Sequence, residues 1–215
     1  MTTEIVVQQQ SLYRRILGRD WDLVPASIQA LHDRSEGHAT FRGRAVVERG
    51  GSIWARLVAS IFGFPSAGAD VPVEIRFACG NGREVWTRRF GEKILRSSQQ
   101  KVERRNEQLL AEDFGPFRIL CALESAEDRL HLSVRAWSFL GLPLPLRLAP
   151  GGRTFEEDRD GLFHFHVEVE SPLTGLIVRY RGWLAPADES TSLRAPALDR
   201  KATAQFDGRG AAVND

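Results

Sequence analysis

The chain has 215 residues, 42% of them hydrophobic and 27% charged, with 29 Lys and Arg against 28 Asp and Glu. That near-neutral balance argues against a dedicated nucleic-acid binder, which carries a basic excess or stripe. No apolar run approaches the roughly 18 residues that would span a bilayer, so no transmembrane segment is expected. The opening MTTEIVVQQQ lacks the basic and apolar regions of a secretory signal, and Cys79 and Cys121 sit in alternating apolar stretches. Two thiols of this kind fit a reduced, cytoplasmic setting.

Residues 1–10 read as a flexible lead-in. Ser11 then suits the N-cap of a short helix that carries Tyr13, Ile16 and Leu17 inward and ends at Gly18. Pro25 opens a second helix to about His32, with Ile28 and Leu31 facing inward. Phe41 to Glu48 follows as a strand. Gly50-Gly51-Ser52 caps a third helix, on which Ile53, Trp54, Leu57, Val58, Ile61 and Phe62 recur at helical spacing. Nearly uncharged and apolar around much of its circumference, this helix is expected to plug the concave face of a sheet, with Trp54, Leu57, Val58 and Ile61 buried.

From Val71 the period changes to alternation. Val71, Val73, Ile75, Phe77 and Cys79 share one strand face, and Gly80-Asn81-Gly82 is a hairpin signal. Further strands are expected at Glu84 to Phe90, Ile94 to Val102, Gln108 to Phe114, Phe117 to Glu124, Leu130 to Phe139, Leu162 to Glu170 and Leu176 to Leu184. Glu156-Glu157-Asp158 reads as part of a solvated loop. Residues 185–215 have no sustained period and read as a poorly ordered tail, leaving a single β-rich domain over 11–184. The fold class is α+β: a strongly curved antiparallel sheet of about eight or more strands, half-barrel or barrel-like, with short N-terminal helices packed against it.

Six spaced motifs occur in order: Ser11 to Gly18, Gly63-Phe64-Pro65 before Val71-Pro72-Val73, Arg88-Arg89-Phe90-Gly91, Phe114-Gly115-Pro116-Phe117, Gly141-Leu142-Pro143-Leu144-Pro145, and Tyr180-Arg181-Gly182-Trp183-Leu184. Together they resemble a bacterial domain of unknown function, family 4166, often found at the C-terminus of saccharopine-dehydrogenase-like oxidoreductases. The resemblance implies an accessory role beside an oxidoreductase partner and brings no established activity. A dinucleotide fingerprint is absent, because Gly80-Asn81-Gly82 lacks the third glycine and lies in a hairpin; no cofactor is expected.

The chemistry-bearing candidates are few. Alternation in Phe163-His164-Phe165-His166-Val167-Glu168 puts His164, His166 and Glu168 on one face. With His131 they are the candidate acid-base residues of an enzyme reading, and with His131 or Glu74 they could in principle hold a metal. A phenylalanine core face with the histidines toward solvent is the competing reading, and no structural metal is expected. Arg135 beside Trp137, and Arg179 and Arg181 beside Trp183, are the candidate ligand-binding residues: arginine offers a fork of donors and indole a flat apolar surface. The functional expectation is a small apolar or amphipathic ligand held inside the curled sheet. An enzyme working in that cavity and a docking module without a ligand are the alternatives, the latter marked by an exposed apolar patch along Ile53 to Phe64.

Overall fold

The computed structural model describes residues 10–187. Two short helices come first, α1 (Leu12–Leu17) and α2 (Ala26–His32), joined by a 3-10 turn over Gly18–Leu23. Ser11 caps α1 by accepting a hydrogen bond from the Arg14 amide, and Gly18 ends it with φ 58°. Strand β1 (Gly37–Arg49) leads into α3 (Ile53–Ile61), and an antiparallel meander follows. Its strands are β2 (Gly68–Gly80), β3 (Arg83–Phe90), β4 (Lys93–Arg104), β5 (Glu107–Phe114), β6 (Phe117–Ala126) and β7 (Arg129–Phe139). The chain closes with β8 (Leu142–Pro143), β9 (Thr154–Arg159), β10 (Leu162–Ser171) and β11 (Gly175–Pro186).

The sheet order is β6-β5-β4-β3-β2-β1-β11-β10-β9-β7-β8, and a further β6–β7 pairing joins its ends. Ten strands therefore form a closed antiparallel barrel, with β8 a short flap on β7. Closure leaves the ring without an edge. Hairpins set the register: Asn81 (φ 52°) and Gly82 (φ 72°) take the left-handed conformations that a two-residue turn between right-twisted strands requires. At the β1–β11 seam, a Cβ on Gly182 would clash with the Arg44 carbonyl oxygen, so only glycine permits this approach.

A barrel of more than eight strands encloses more space than its inward side chains fill. Here α1 and α2 enter one end and fill it. Tyr13, Trp21, Ile28 and Leu31 are buried against Phe77, Trp86, Leu130 and Phe163. Polar contacts pin the plug to the wall. Lys101 Nζ donates to the Arg15 carbonyl (2.7 Å), Arg15 donates to the Gly82 carbonyl (2.9 Å), and the Ser27 amide donates to Asp158 (3.2 Å).

Four sequence expectations are corrected here. The plug is α1 and α2, not α3: Trp54, Leu57 and Ile61 are 64%, 50% and 72% exposed. Helix α3 instead lies on the barrel through its small residues, Ala55 and Ala59 packing on Ile177. The approach is close enough that a Cβ on Gly50 would clash with the Leu176 carbonyl. Glu156-Glu157-Asp158 is strand, not loop, because each carboxylate has a partner elsewhere in the fold. Ala185 and Pro186, assigned to the tail, pair with Arg42 and Phe41; residues 188–215 and the lead-in 1–9 lie outside the described residues. Finally, Arg135 does not share a face with Trp137. Leu120 pairs with Ala136 and Cys121 with Val134, so Arg135 is the extra residue of a β-bulge, and the phase of β7 reverses there.

Candidate functional site

Between the helical plug and the opposite end lies a cavity of about 370 Å³. Its floor is Tyr13 and Leu31 of the plug, and its wall is mostly apolar, with Phe90, Leu95, Ile119, Val134, Phe165 and Val167 among the lining residues. Val58 of α3, with Phe62 and Phe64 just beyond that helix, lines the cavity at the end away from the plug. There Phe62 meets Phe117 at 4.9 Å between ring centroids.

A small set of polar groups breaks this apolar wall. Successive inward positions of β3 carry Glu84, Trp86, Arg88 and Phe90. Arg88 donates to Ser97 Oγ (2.7 Å) and to Glu112 Oε1 (2.8 Å), and the Ser97 hydroxyl donates to the same Glu112 oxygen (2.6 Å). The Arg88 guanidinium also lies 4.7 Å from the centre of the Trp86 ring. Burial alone would lower the Arg88 pKa, but the Glu112 charge and hydrogen bond outweigh it and the pKa is raised, so Arg88 stays cationic. Gln99 also lines the cavity, 2% exposed, and its Oε1 has no partner. Burial pushes the Tyr180 phenol up to about 12, so it remains a donor.

Beneath this set, His32 stacks on Tyr13 at 3.6 Å, and its Nε2 lies 2.8 Å from Glu156 Oε2. Glu84 accepts a hydrogen bond from Trp86 Nε1 at 2.9 Å, and burial raises its pKa.

The sequence-predicted site residues lie mainly elsewhere. His164 and His166 are half-buried on the outer face of β10, while Phe163 and Phe165 fill the interior, as the competing reading of that strand has it. Burial lowers both histidine pKa values. His131 shares that outer face and flanks Phe155, which stacks on His166 at 4.9 Å. Glu168 touches the cavity margin, but Arg179 holds it at 2.5 Å, and despite burial its pKa is depressed. Glu74 is paired with Arg42 and Arg76 on the outside. Among the described residues, no group of three His, Cys, Asp or Glu side chains forms a metal site.

Of the arginine–tryptophan candidates, only Trp137 lines the cavity; its Nε1 donates to the Pro145 carbonyl at 3.0 Å. Arg135 pairs with Glu107 and Glu124 outside. Arg179, Arg181 and Trp183 share a face as expected, but none of them lines the cavity. The residue missed was Arg88. Its signal was present in the alternation of Trp86, Arg88 and Phe90, since two aromatics at i−2 and i+2 place the arginine on the core face.

The fold and site together define a closed antiparallel barrel with a plugged end and an internal, mostly apolar cavity. The family model of a domain of unknown function, DUF4166, matches residues 24–184, and the chain belongs to that family. No curated protein matches the sequence.

Proposed function

We propose that the barrel binds a small amphipathic molecule, its apolar body against the phenylalanine and aliphatic wall and its polar group at Arg88, Gln99 and Glu112. The observation that carries this reading is the cavity itself. At about 370 Å³ it falls within the size range of ligand pockets, and an apolar wall with a few convergent polar groups is their usual construction. Because Glu112 already neutralises Arg88, the favoured polar group is an uncharged hydroxyl or carbonyl. A carboxylate would enter as an unbalanced buried charge next to Glu112.

Trp86 and Trp137 line the cavity and report on occupancy. Dodecanol should change the tryptophan emission saturably and bind more tightly than dodecanoate, and Ile119→Trp, which fills the cavity, should abolish the response. No saturable change with either probe, together with no small molecule retained in native mass spectrometry, would remove the binding reading. On the resemblance alone, we add that the ligand serves an oxidoreductase on another chain. Co-purification of such an enzyme with the intact protein is the test.

A further inference from the structure

The ends of the barrel are chemically unlike. Antiparallel register puts the turns at Asn81-Gly82, Arg105-Asn106, Glu127-Asp128 and Asp160-Gly161 at the plugged end, where charges of both signs are frequent. The other end is formed by α3 and by the connections at 91–92, 115–116, 140–153 and 172–174. Most of the large hydrophobic side chains that the described protein exposes are gathered there. Helix α3 contributes Ile53 (77%), Trp54, Leu57 and Ile61 (72%). The connection 140–153 contributes Leu140 (71%), Leu142 (68%) and Leu146 (55%), and Leu173 (77%) lies on the last connection.

Three cavity-lining phenylalanines, Phe62, Phe64 and Phe117, lie at this same end of the barrel. The small-residue packing of Ala55 and Ala59 on Ile177 turns the large face of α3 outward, so its exposure is built into the fold. Large apolar side chains exposed together at one end of a domain mark an interaction site.

The charges interspersed on this end select the partner. From 50 to 67 the only charged residue is Arg56; the connection 140–153 carries Arg147 and Arg153; and Glu92 is the one carboxylate among these connections, followed at once by Lys93. Arg56, Lys93 and Arg147 are exposed and have no ion pair among the described residues. A second copy docked face to face would bring these cations against their own kind. An anionic lipid surface matches both features, apolar side chains entering the headgroup boundary and basic ones meeting lipid phosphates.

We propose that the open end of the barrel docks on an anionic bilayer, with the cavity mouth against the lipid. The contact proposed is by the rim residues; no helix among the described residues is long and apolar enough to cross a membrane. The docking surface stands on the rim residues. That the ligand enters from the membrane rests on the binding reading above.

Flotation of the full chain with phosphatidylcholine vesicles, with and without phosphatidylglycerol, tests it. Binding should require the anionic lipid and weaken with salt. The double change Trp54→Ala and Ile61→Ala should lower partitioning about tenfold, because it removes apolar contact area. Arg56→Gln and Arg147→Gln should each cost about fivefold on anionic vesicles alone. All these positions are exposed, so melting temperatures should stay at the parent value. Equal binding to both vesicle types, no binding, or variants that float like the parent would overturn the proposal. A dimer in light scattering that the same variants abolish would overturn it in favour of self-association. Dodecanol binding without vesicles, unchanged in the rim variants, keeps the two readings separable: its loss in the parent chain would sink the cavity reading and leave docking standing.

Discussion

Arg88 and Glu112 meet at 2.8 Å inside the barrel, on β3 and β5, with Ser97 of β4 bridging both. Three adjacent strands thus contribute one inward polar row to an otherwise apolar wall. Their side chains are only 14% and 15% exposed, so each charge depends on the other for its solvation.

Breaking the pair should therefore cost more than replacing it. Glu112→Gln strands the guanidinium and should destabilise by about 3 kcal/mol, the usual consequence of removing one partner of a buried pair. The double change Arg88→Met and Glu112→Leu should recover most of that loss while abolishing discrimination between dodecanol and dodecanoate. Urea denaturation measures the first effect and fluorescence titration the second. A single-variant loss below about 0.5 kcal/mol, as for a surface change, would show that water reaches the pair from the cavity.

Helix α3 makes a prediction opposite to its hydrophobic pattern. Leu57→Ala should change stability by less than about 0.5 kcal/mol, because the side chain is exposed. Ala59→Leu should cost about 1–3 kcal/mol, because it overpacks the contact with Ile177. Paired urea titrations decide the matter, and a larger loss at Leu57 than at Ala59 would mean that the helix packs by its large face.

Those two substitutions mark where the sequence was legible and where it was not. The alternation of Val71 to Cys79 and the Asn81-Gly82 turn are local signals, and the elements they predict are present. Helical periodicity located α3 equally well. It could not say which face packs, because Ala55, Ala59 and Gly50 allow a close approach that outcompetes burial of the larger residues. Strand β9 was hidden for a different reason. Glu156, Glu157 and Asp158 look solvated until His32, Arg129 and Ser27 arrive from distant parts of the chain. The bulge at Arg135 is likewise a property of the β6–β7 pair, and one inserted residue moves every later side chain to the other face.

Glu84 gives the pH dependence. Its ordinary pKa of 4.5 is raised by burial, so the folded state holds a proton that the unfolded state releases. Its contribution is complete below pH 4.5 and declines as pH rises through the interval up to the raised value. The half-buried His164 and His166 act in the opposite sense. Their pKa values are depressed below 6.5, so their contribution is present above that pH and is lost on acidification. Glu84→Gln, which keeps an acceptor for Trp86 Nε1, should remove the decline on the alkaline side and leave the acid limb intact. Melting temperatures between pH 4 and pH 8 would reveal it. Parallel profiles for parent and variant would mean that Glu84 does not carry the linkage.

The cysteines offer a chemical probe of the cavity. Cys79 and Cys121 are free thiols, each partly buried, and burial pushes both pKa values up to about 12. At pH 8 the thiolate, which is the reactive form, is then about a thousandfold scarcer than for an exposed cysteine. Alkylation of the folded protein should be correspondingly slow. Only Cys121 lines the cavity, so a bound ligand should reach it and not Cys79. Saturating dodecanol should slow labelling of Cys121 further and leave the Cys79 rate unchanged, each followed by peptide mass spectrometry. Equal protection of both thiols would mean that the ligand acts by stabilising the whole barrel. Protection of neither, with the fluorescence response still present, would place the ligand away from the β6 wall.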